Sequence, residues 1–142
     1  YMIALLLDGG GNDYYEARSR SLAFAEVRSN ALLFDLGGDD TYVCPGGETV
    51  LGTALFSADY ARPSYRNTPA SRFGNSFALL LDIGGRDTYL HKDFSNNVTS
   101  ASAEAADNTT WLKPARTNAN FGYRSFGVGL DVPDGIVPEV TR

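Results

Sequence analysis

The sequence predicts a mainly β fold built from repeats: a β-solenoid, with a small antiparallel β-sheet domain made of repeated hairpins as the alternative. Three observations carry the prediction. A twelve-residue pattern recurs without gaps as Ala4-Leu-Leu-Leu-Asp-Gly-Gly-Gly-Asn-Asp-Tyr-Tyr15, Ala31-Leu-Leu-Phe-Asp-Leu-Gly-Gly-Asp-Asp-Thr-Tyr42 and Ala78-Leu-Leu-Leu-Asp-Ile-Gly-Gly-Arg-Asp-Thr-Tyr89. Each copy opens on an apolar run of four or so residues, the length of a buried strand and too short for a helix. Each run ends on Asp and Gly-Gly, where a backbone without Cβ can take φ > 0 and turn sharply.

Within a unit the order is therefore strand, Asp-x-Gly-Gly-x-Asp turn, strand. The Tyr14-Tyr15, Thr41-Tyr42 and Thr88-Tyr89 pairs resume extended structure, which suits β-branched and aromatic side chains. Four residues before the first Asp the position is always small (Ala4, Ala31, Ala78). Just before the Asp it is always large and apolar (Leu7, Phe34, Leu81). Stacked copies would place like on like, as solenoid repeats do. A fourth copy, Gly127-Val-Gly-Leu-Asp-Val-Pro-Asp-Gly135, keeps the first half, with Gly127 and Leu130 at these positions, and loses the second.

The anchor aspartates Asp8, Asp35, Asp82 and Asp131 are separated by steps of 27, 47 and 49 residues. Asp59 and Asp107 lie near the midpoints of the long steps. Either a degenerate repeat fills each gap, or residues 43–72 and 90–120 hold ordinary insertions. Between the repeats, Glu16–Val27 reads equally as helix or strand. Ser100–Asp107 reads as a short helix capped by Ser100. Ala61–Arg72 and Asp93–Asn97 have the Pro, Asn and Ser density of loops. Trp111 is a core or stacking anchor for the last long segment. The chain opens on Tyr1 and enters directly on an apolar run, so residues 1–142 read as one repeat-built domain cut from a longer chain.

Composition removes several function classes. Twelve basic against seventeen acidic residues give a net charge of −5, the wrong sign for a binder of nucleic-acid backbone. Apolar runs as short as Met2–Leu7 are far from the roughly 18 residues needed to span a bilayer as a helix, so membrane insertion is not expected. The lone Cys44 excludes an internal disulfide and a Cys-based zinc site, and reads as a small apolar filler. His91, the one histidine, reads as a loop residue on a polar surface. No Gly-x-Ser-x-Gly elbow or glycine-rich phosphate loop is present, and an enzyme is the less favoured reading.

Twelve of the seventeen acidic residues are Asp, which points to positional roles in turns, caps or metal sites. A loop Asp-x-Gly-Gly-x-Asp brackets a tight turn with two carboxylates. Hard cations such as Ca²⁺ take about six to eight oxygens from carboxylates and carbonyls together. The turns Gly9-Gly10-Gly11-Asn12-Asp13 and Gly37-Gly38-Asp39-Asp40 resemble the calcium-binding nonapeptide repeats of RTX β-rolls. RTX repeats run in tandem every nine residues, whereas here Asp8, Asp35 and Asp82 stand where the first RTX Gly would be, and Leu36 or Ile83 replaces the second. The chain also resembles Asp-x-Gly-Gly-Asp-Asp-x-Tyr repeat proteins of bacteria, a resemblance that implies a secreted or cell-envelope location and no particular activity.

Like charges stacked one repeat apart repel unless something positive lies between them. Two solutions follow. In the first, Asp8, Asp13, Asp35, Asp40, Asp82 and Asp87, with Asp39 as an auxiliary, hold Ca²⁺ or another hard cation, and the degenerate Asp131–Asp134 turn is the weakest candidate. In the second, the aspartates close metal-free Asx-turns and an Arg86–Asp39 ion pair relieves the charge. The expected function is a structural or adhesive repeat module. Its expected partners are the rest of a parent chain, further copies of itself, or a polysaccharide. The competing classes are a carbohydrate-active or carbohydrate-binding module using Trp111 and exposed tyrosines, and an extracellular filament subunit. The tyrosines Tyr15, Tyr42 and Tyr89 read as an internal packing ladder.

Overall fold

The computed structural model describes residues 2–16, 21–26, 29–45, 51–55, 76–93, 95, 97–99, 105–118 and 123–133. The protein is mainly β, and no described residue is helical. Its strands are β1 (Met2–Asp8), β2 (Tyr14–Glu16), β3 (Phe24–Glu26), β4 (Ser29–Asp35), β5 (Thr41–Pro45), β6 (Thr53–Leu55), β7 (Ser76–Ile83), β8 (Thr88–Lys92), β9 (Val98–Thr99), β10 (Thr110–Asn118) and β11 (Tyr123–Val132). They form three sheets, ordered β1-β4-β7-β11-β10, β2-β5-β8-β9 and β3-β6. The chain visits the sheets in rotation: β1, β2 and β3 make one circuit, β4, β5 and β6 a second, and β7 and β8 begin a third.

The two strands of a repeat do not pair with each other, so the hairpin arrangement is not what forms. Each strand pairs in parallel with its equivalent one circuit away. Ala4, Ala31, Ala78 and Gly127 lie side by side, as do Asp8, Asp35, Asp82 and Asp131. Tyr15, Tyr42 and Tyr89 do the same in the second sheet. A break separates the first strand from the second in every unit because the Gly-Gly corner redirects the chain. At Gly38, where φ is +144°, a Cβ would stand 1.5 Å from the carbonyl oxygen of Gly11. The backbones of neighbouring corners come into direct contact there, and the amide of Gly11 donates to the carbonyl of Gly37.

Alternation along the strands builds the core. In β7 the buried positions are Ser76, Ala78, Leu80 and Asp82, and the half-buried ones Phe77, Leu79, Leu81 and Ile83. Leu33 and Leu80 point inward against Tyr42, Cys44 and Tyr89 of the second sheet and Ala23 and Leu51 beside the third. The small position packs separately, Ala31 and Ala78 against Ala25 and Ala54. In the fourth copy a Cβ on Gly127 would meet the carbonyl oxygen of Gly52 at 2.2 Å. The rule of a small residue there comes from the close approach of the β3–β6 sheet.

Several expectations need correction. Ala105–Asp107 are not helical; Asp107 instead enters a turn completed by Asn108 at φ 54°, a left-handed conformation that Asn tolerates. Residues 100–104 of that expected helix lie outside the described residues, as do Asp59, Ala61–Arg72 and Asp134. The undecided Glu16–Val27 segment supplies the end of β2, a bend at Leu22-Ala23, and β3. His91 belongs to strand β8, half-buried and opposite Cys44 and Thr99, not to a loop. Within Asp93–Asn97, Asp93 accepts hydrogen bonds from the amides of Ser95 and Asn97, which closes the turn into β9.

Trp111 is 5% exposed. Its indole lies over Gly129, where a Cβ would fall 1.9 Å from the ring, and its Nε1 donates to the carbonyl of Leu51. Gly129 pairs with Leu80 in the register, so the indole fills the space that a leucine fills in the preceding copy. Trp111 therefore serves the core and offers no face to a sugar.

Candidate metal centre

Parallel register turns a sequence pattern into a column of carboxylates. The anchor aspartates end β1 and β4 and sit one residue before the ends of β7 and β11, so their side chains follow one another across the strand ends of one sheet. The second aspartates Asp13, Asp40 and Asp87 sit just past the Gly-Gly corners and close the column from the other side. Three triads result, Asp8–Asp13–Asp35, Asp35–Asp40–Asp82 and Asp82–Asp87–Asp131, each with carboxylate oxygens within 4.8 Å of one another. Successive triads share Asp35 and then Asp82.

A regular set of hydrogen bonds fixes the column. Tyr15 donates to Asp35 at 2.5 Å, Tyr42 to Asp82 at 2.7 Å, and Tyr89 to Asp131 at 2.7 Å. Each tyrosine thus holds the anchor of the next circuit. Tyr15 stacks on Tyr42 and Tyr42 on Tyr89, with ring centroids 4.9 and 5.0 Å apart, which is the packing ladder expected from the sequence. The amide of Asp13 donates to Asp40, that of Asp40 to Asp87, and that of Asp87 to Asp107. Asp107, which the sequence left between a degenerate repeat and an insertion, stands in for the next second aspartate.

The inner two triads lie out of solvent. Asp35 and Asp82 are fully buried, Asp40 is 1%, Asp131 3% and Asp87 6% exposed. Burial pushes the carboxyl of Asp82 up to about 8, that of Asp87 to about 7 and that of Asp40 to about 6, from an ordinary value of 3.8, and the neighbouring carboxylates add to the rise. Burial also raises Asp131, against the opposing hydrogen bonds from Tyr89 and Asn108. The phenols of Tyr15, Tyr42 and Tyr89 are raised by burial together with the adjacent aspartates, so they remain protonated donors.

Among the described residues, three buried carboxylate oxygens find no hydrogen-bond donor: Asp40 Oδ2, Asp82 Oδ1 and Asp87 Oδ2. A buried acceptor without a partner costs on the order of 1–3 kcal/mol, and more when charged. The reason for the orphan at Asp82 is local. Asp8 and Asp35 accept the amide two residues on, from Gly10 and Gly37. In the third turn the amide of Gly84 bonds the carbonyl of Val132 instead.

Six of the seven predicted ligands come together. Asp39 does not: it is exposed, and its Oδ1 accepts the backbone amide of Arg86, as Asn12 accepts that of Asp39. The expected Arg86–Asp39 ion pair is replaced by this main-chain bond, so Arg86 brings no side-chain charge to the column. Asp131, ranked weakest from sequence, completes the third triad. Its signal was present in the anchor alignment, but the loss of Gly-Gly after it obscured the fact that a borrowed Asp87 supplies the missing carboxylate.

The fold and this site define a mainly β chain whose parallel, in-register strands line up buried carboxylates. Comparison with known proteins finds no matching family model, no matching curated protein and no matching solved structure.

Proposed function

We propose that the chain is a β-solenoid segment acting as a structural or adhesive module of a secreted or cell-surface protein. Ca²⁺ or a related hard cation, held along the Asp-x-Gly-Gly-x-Asp turns, locks its circuits together. The observation that carries this reading is the set of three buried, donor-less oxygens on Asp40, Asp82 and Asp87. They belong to two triads that share Asp82.

The residues fit such an ion. All the candidate ligands are carboxylate oxygens, the donors a hard cation prefers, with neither the nitrogen nor the thiolate that would favour zinc. The five inner carboxylates carry up to five negative charges. Two divalent ions, one per triad, would supply four positive ones. Ca²⁺ tolerates irregular, dry oxygen shells, whereas Mg²⁺ retains several waters, and burial of these triads favours Ca²⁺. The bound ion would supply charge neutralisation and cross-linking between circuits. The tyrosines and amides orient the carboxylates, and the adjacent Tyr–Tyr stack excludes water.

The test is thermal unfolding of the 142-residue chain against Ca²⁺ with elemental analysis of the purified protein. At a hundredfold excess over Kd the ion should stabilise by about 2.7 kcal/mol, a rise in Tm on the order of 10 °C for a chain of this size. Asp82→Asn should lose most of that rise. In chelator the same variant should melt no lower than the parent, because burial and the neighbouring carboxylates already hold the Asp82 carboxyl largely protonated near neutral pH and Asn keeps the position neutral. Absence of metal together with a Tm indifferent to Ca²⁺ and chelator would leave the aspartates as metal-free turn formers.

A further inference from the structure

The two ends of the strand stack are unlike, and the difference is chemical. β1, β2 and β3 are each the first strand of their sheet, so the whole first circuit presents its backbone edge with no pairing strand among the described residues. Its apolar side chains follow suit. Leu6 occupies the inward position held by Leu33 and Leu80, yet it is 41% exposed where they are 1% and 0%. Ala4, Leu6, Leu22, Ala31 and Leu33 line a recess at this end.

The hydrogen-bond pattern has a direction, which states what the open end fits. Each circuit sends a tyrosine hydroxyl to the anchor aspartate of the following circuit and a second-aspartate amide to the following second aspartate. Asp8 and Asp13 are the first members of these series. They occupy the receiving positions for a Tyr hydroxyl and an Asp amide from a circuit ahead of β1. Only a parallel strand followed by an Asp-x-Gly-Gly-x-Asp-x-Tyr turn delivers both donors at the spacing that the register sets.

We propose that this end is a docking surface for one further repeat of the same pattern. Its first strand pairs in parallel with the free edge of β1, its tyrosine stacks on Tyr15 and bonds Asp8, and its second aspartate donates its amide to Asp13. Among the described residues, a second copy of this chain does not offer the matching face. At its other end β10 closes the large sheet antiparallel and Trp111 closes the tyrosine stack edge-on, 5.4 Å from Tyr89. The proposal rests on register and hydrogen-bond direction and requires no bound cation, so it stands or falls separately from the calcium reading.

The experiment uses the 142-residue chain and a fluorescently labelled synthetic peptide with the sequence of residues 29–45, serine replacing Cys44, in chelator and again in Ca²⁺. Saturable binding of one peptide per chain, by anisotropy and by sedimentation, is the expected result in both buffers. A peptide with Tyr42→Phe should bind at least tenfold more weakly, and a scrambled peptide not at all. The protein variant Leu6→Lys, which places a charge in the recess, should lose the peptide while keeping its circular-dichroism spectrum. The peptide controls decide the matter even where that variant fails to fold. Equal binding of the scrambled peptide, or no binding at millimolar concentration, overturns the proposal. So does a two-fold dimer that Leu6→Lys disrupts and the peptide does not compete with, since the occupant is then a second copy.

Discussion

The first circuit and the last strand face the same physical problem and meet it differently. Both end a series of parallel strands whose backbone edges and core side chains seek a neighbour. At the β11 end the sequence abandons the repeat: Gly129 clears space, Trp111 fills it, β10 runs back antiparallel, and Asp107 and Asn108 complete bonds that a further circuit would make. At the β1 end the repeat is intact and nothing among the described residues replaces the neighbour, so Met2, Ile3, Leu5 and Leu7 are all more than 60% exposed. Stacks of identical units are stable in the middle and need their ends covered, and among the described residues only the β11 end has a cover.

The comparison can be broken most forcefully at the cover. Trp111→Ala removes the indole over Gly129 and should cost about 3–5 kcal/mol in chemical denaturation. It should also uncover Tyr89 and raise concentration-dependent association above that of the parent. A variant that loses stability yet stays monomeric would show that β10 alone closes this end.

Equivalent leucines give the next test. Leu33→Ala should cost roughly 2–5 kcal/mol as a core truncation, whereas Leu6→Ala, at the same position of the open circuit, should cost less than about 1 kcal/mol. Equal costs would mean that Leu6 is covered in solution.

The glycine corners sharpen the same contrast. Gly38→Ala drives a Cβ into the Gly11 carbonyl at φ +144°, combining left-handed strain with overpacking, for about 2–4 kcal/mol. At Gly9 a Cβ meets nothing within 4 Å, so Gly9→Ala should stay within about 0.5 kcal/mol of the parent.

A separate test of the open column is the pH dependence of the metal-free chain. Asp40, Asp87 and Asp82 titrate near 6, 7 and 8 when folded, against an ordinary 3.8. The folded state then binds more protons than the unfolded state across that window. Their contribution is fully present below pH 3.8 and is lost as pH rises through 6 to 8. Tm in chelator should therefore fall from pH 5 to pH 9, while saturating Ca²⁺, which holds the carboxylates ionised, should flatten or reverse the trend. A metal-free Tm that climbs over this range would place the charges elsewhere.

How much of this was legible beforehand follows from which residues repeat. The anchors Asp8, Asp35 and Asp82 and the tyrosines Tyr15, Tyr42 and Tyr89 recur at fixed offsets, so their alignment in space was readable as soon as parallel stacking was assumed. Asp107 and Trp111 sit outside any repeat, and their roles arise from replacing absent repeat residues, which no periodicity marks. Asp39 misled because it shares the spacing of the ligands. Its side chain lies on the solvent side of the corner, and spacing does not report direction.

What the sequence determined by itself is the unit: a short apolar strand, a glycine corner flanked by carboxylates, and a second strand, because local sterics and alternation are written in neighbouring residues. What only the tertiary structure decided is that the units pair in parallel with the aspartates in register, that two triads share Asp82 out of water, and that, among the described residues, one end is closed and the other open. Those facts depend on strands 27 to 49 residues apart along the chain, and on the low-dielectric space they enclose, which exists only once they meet.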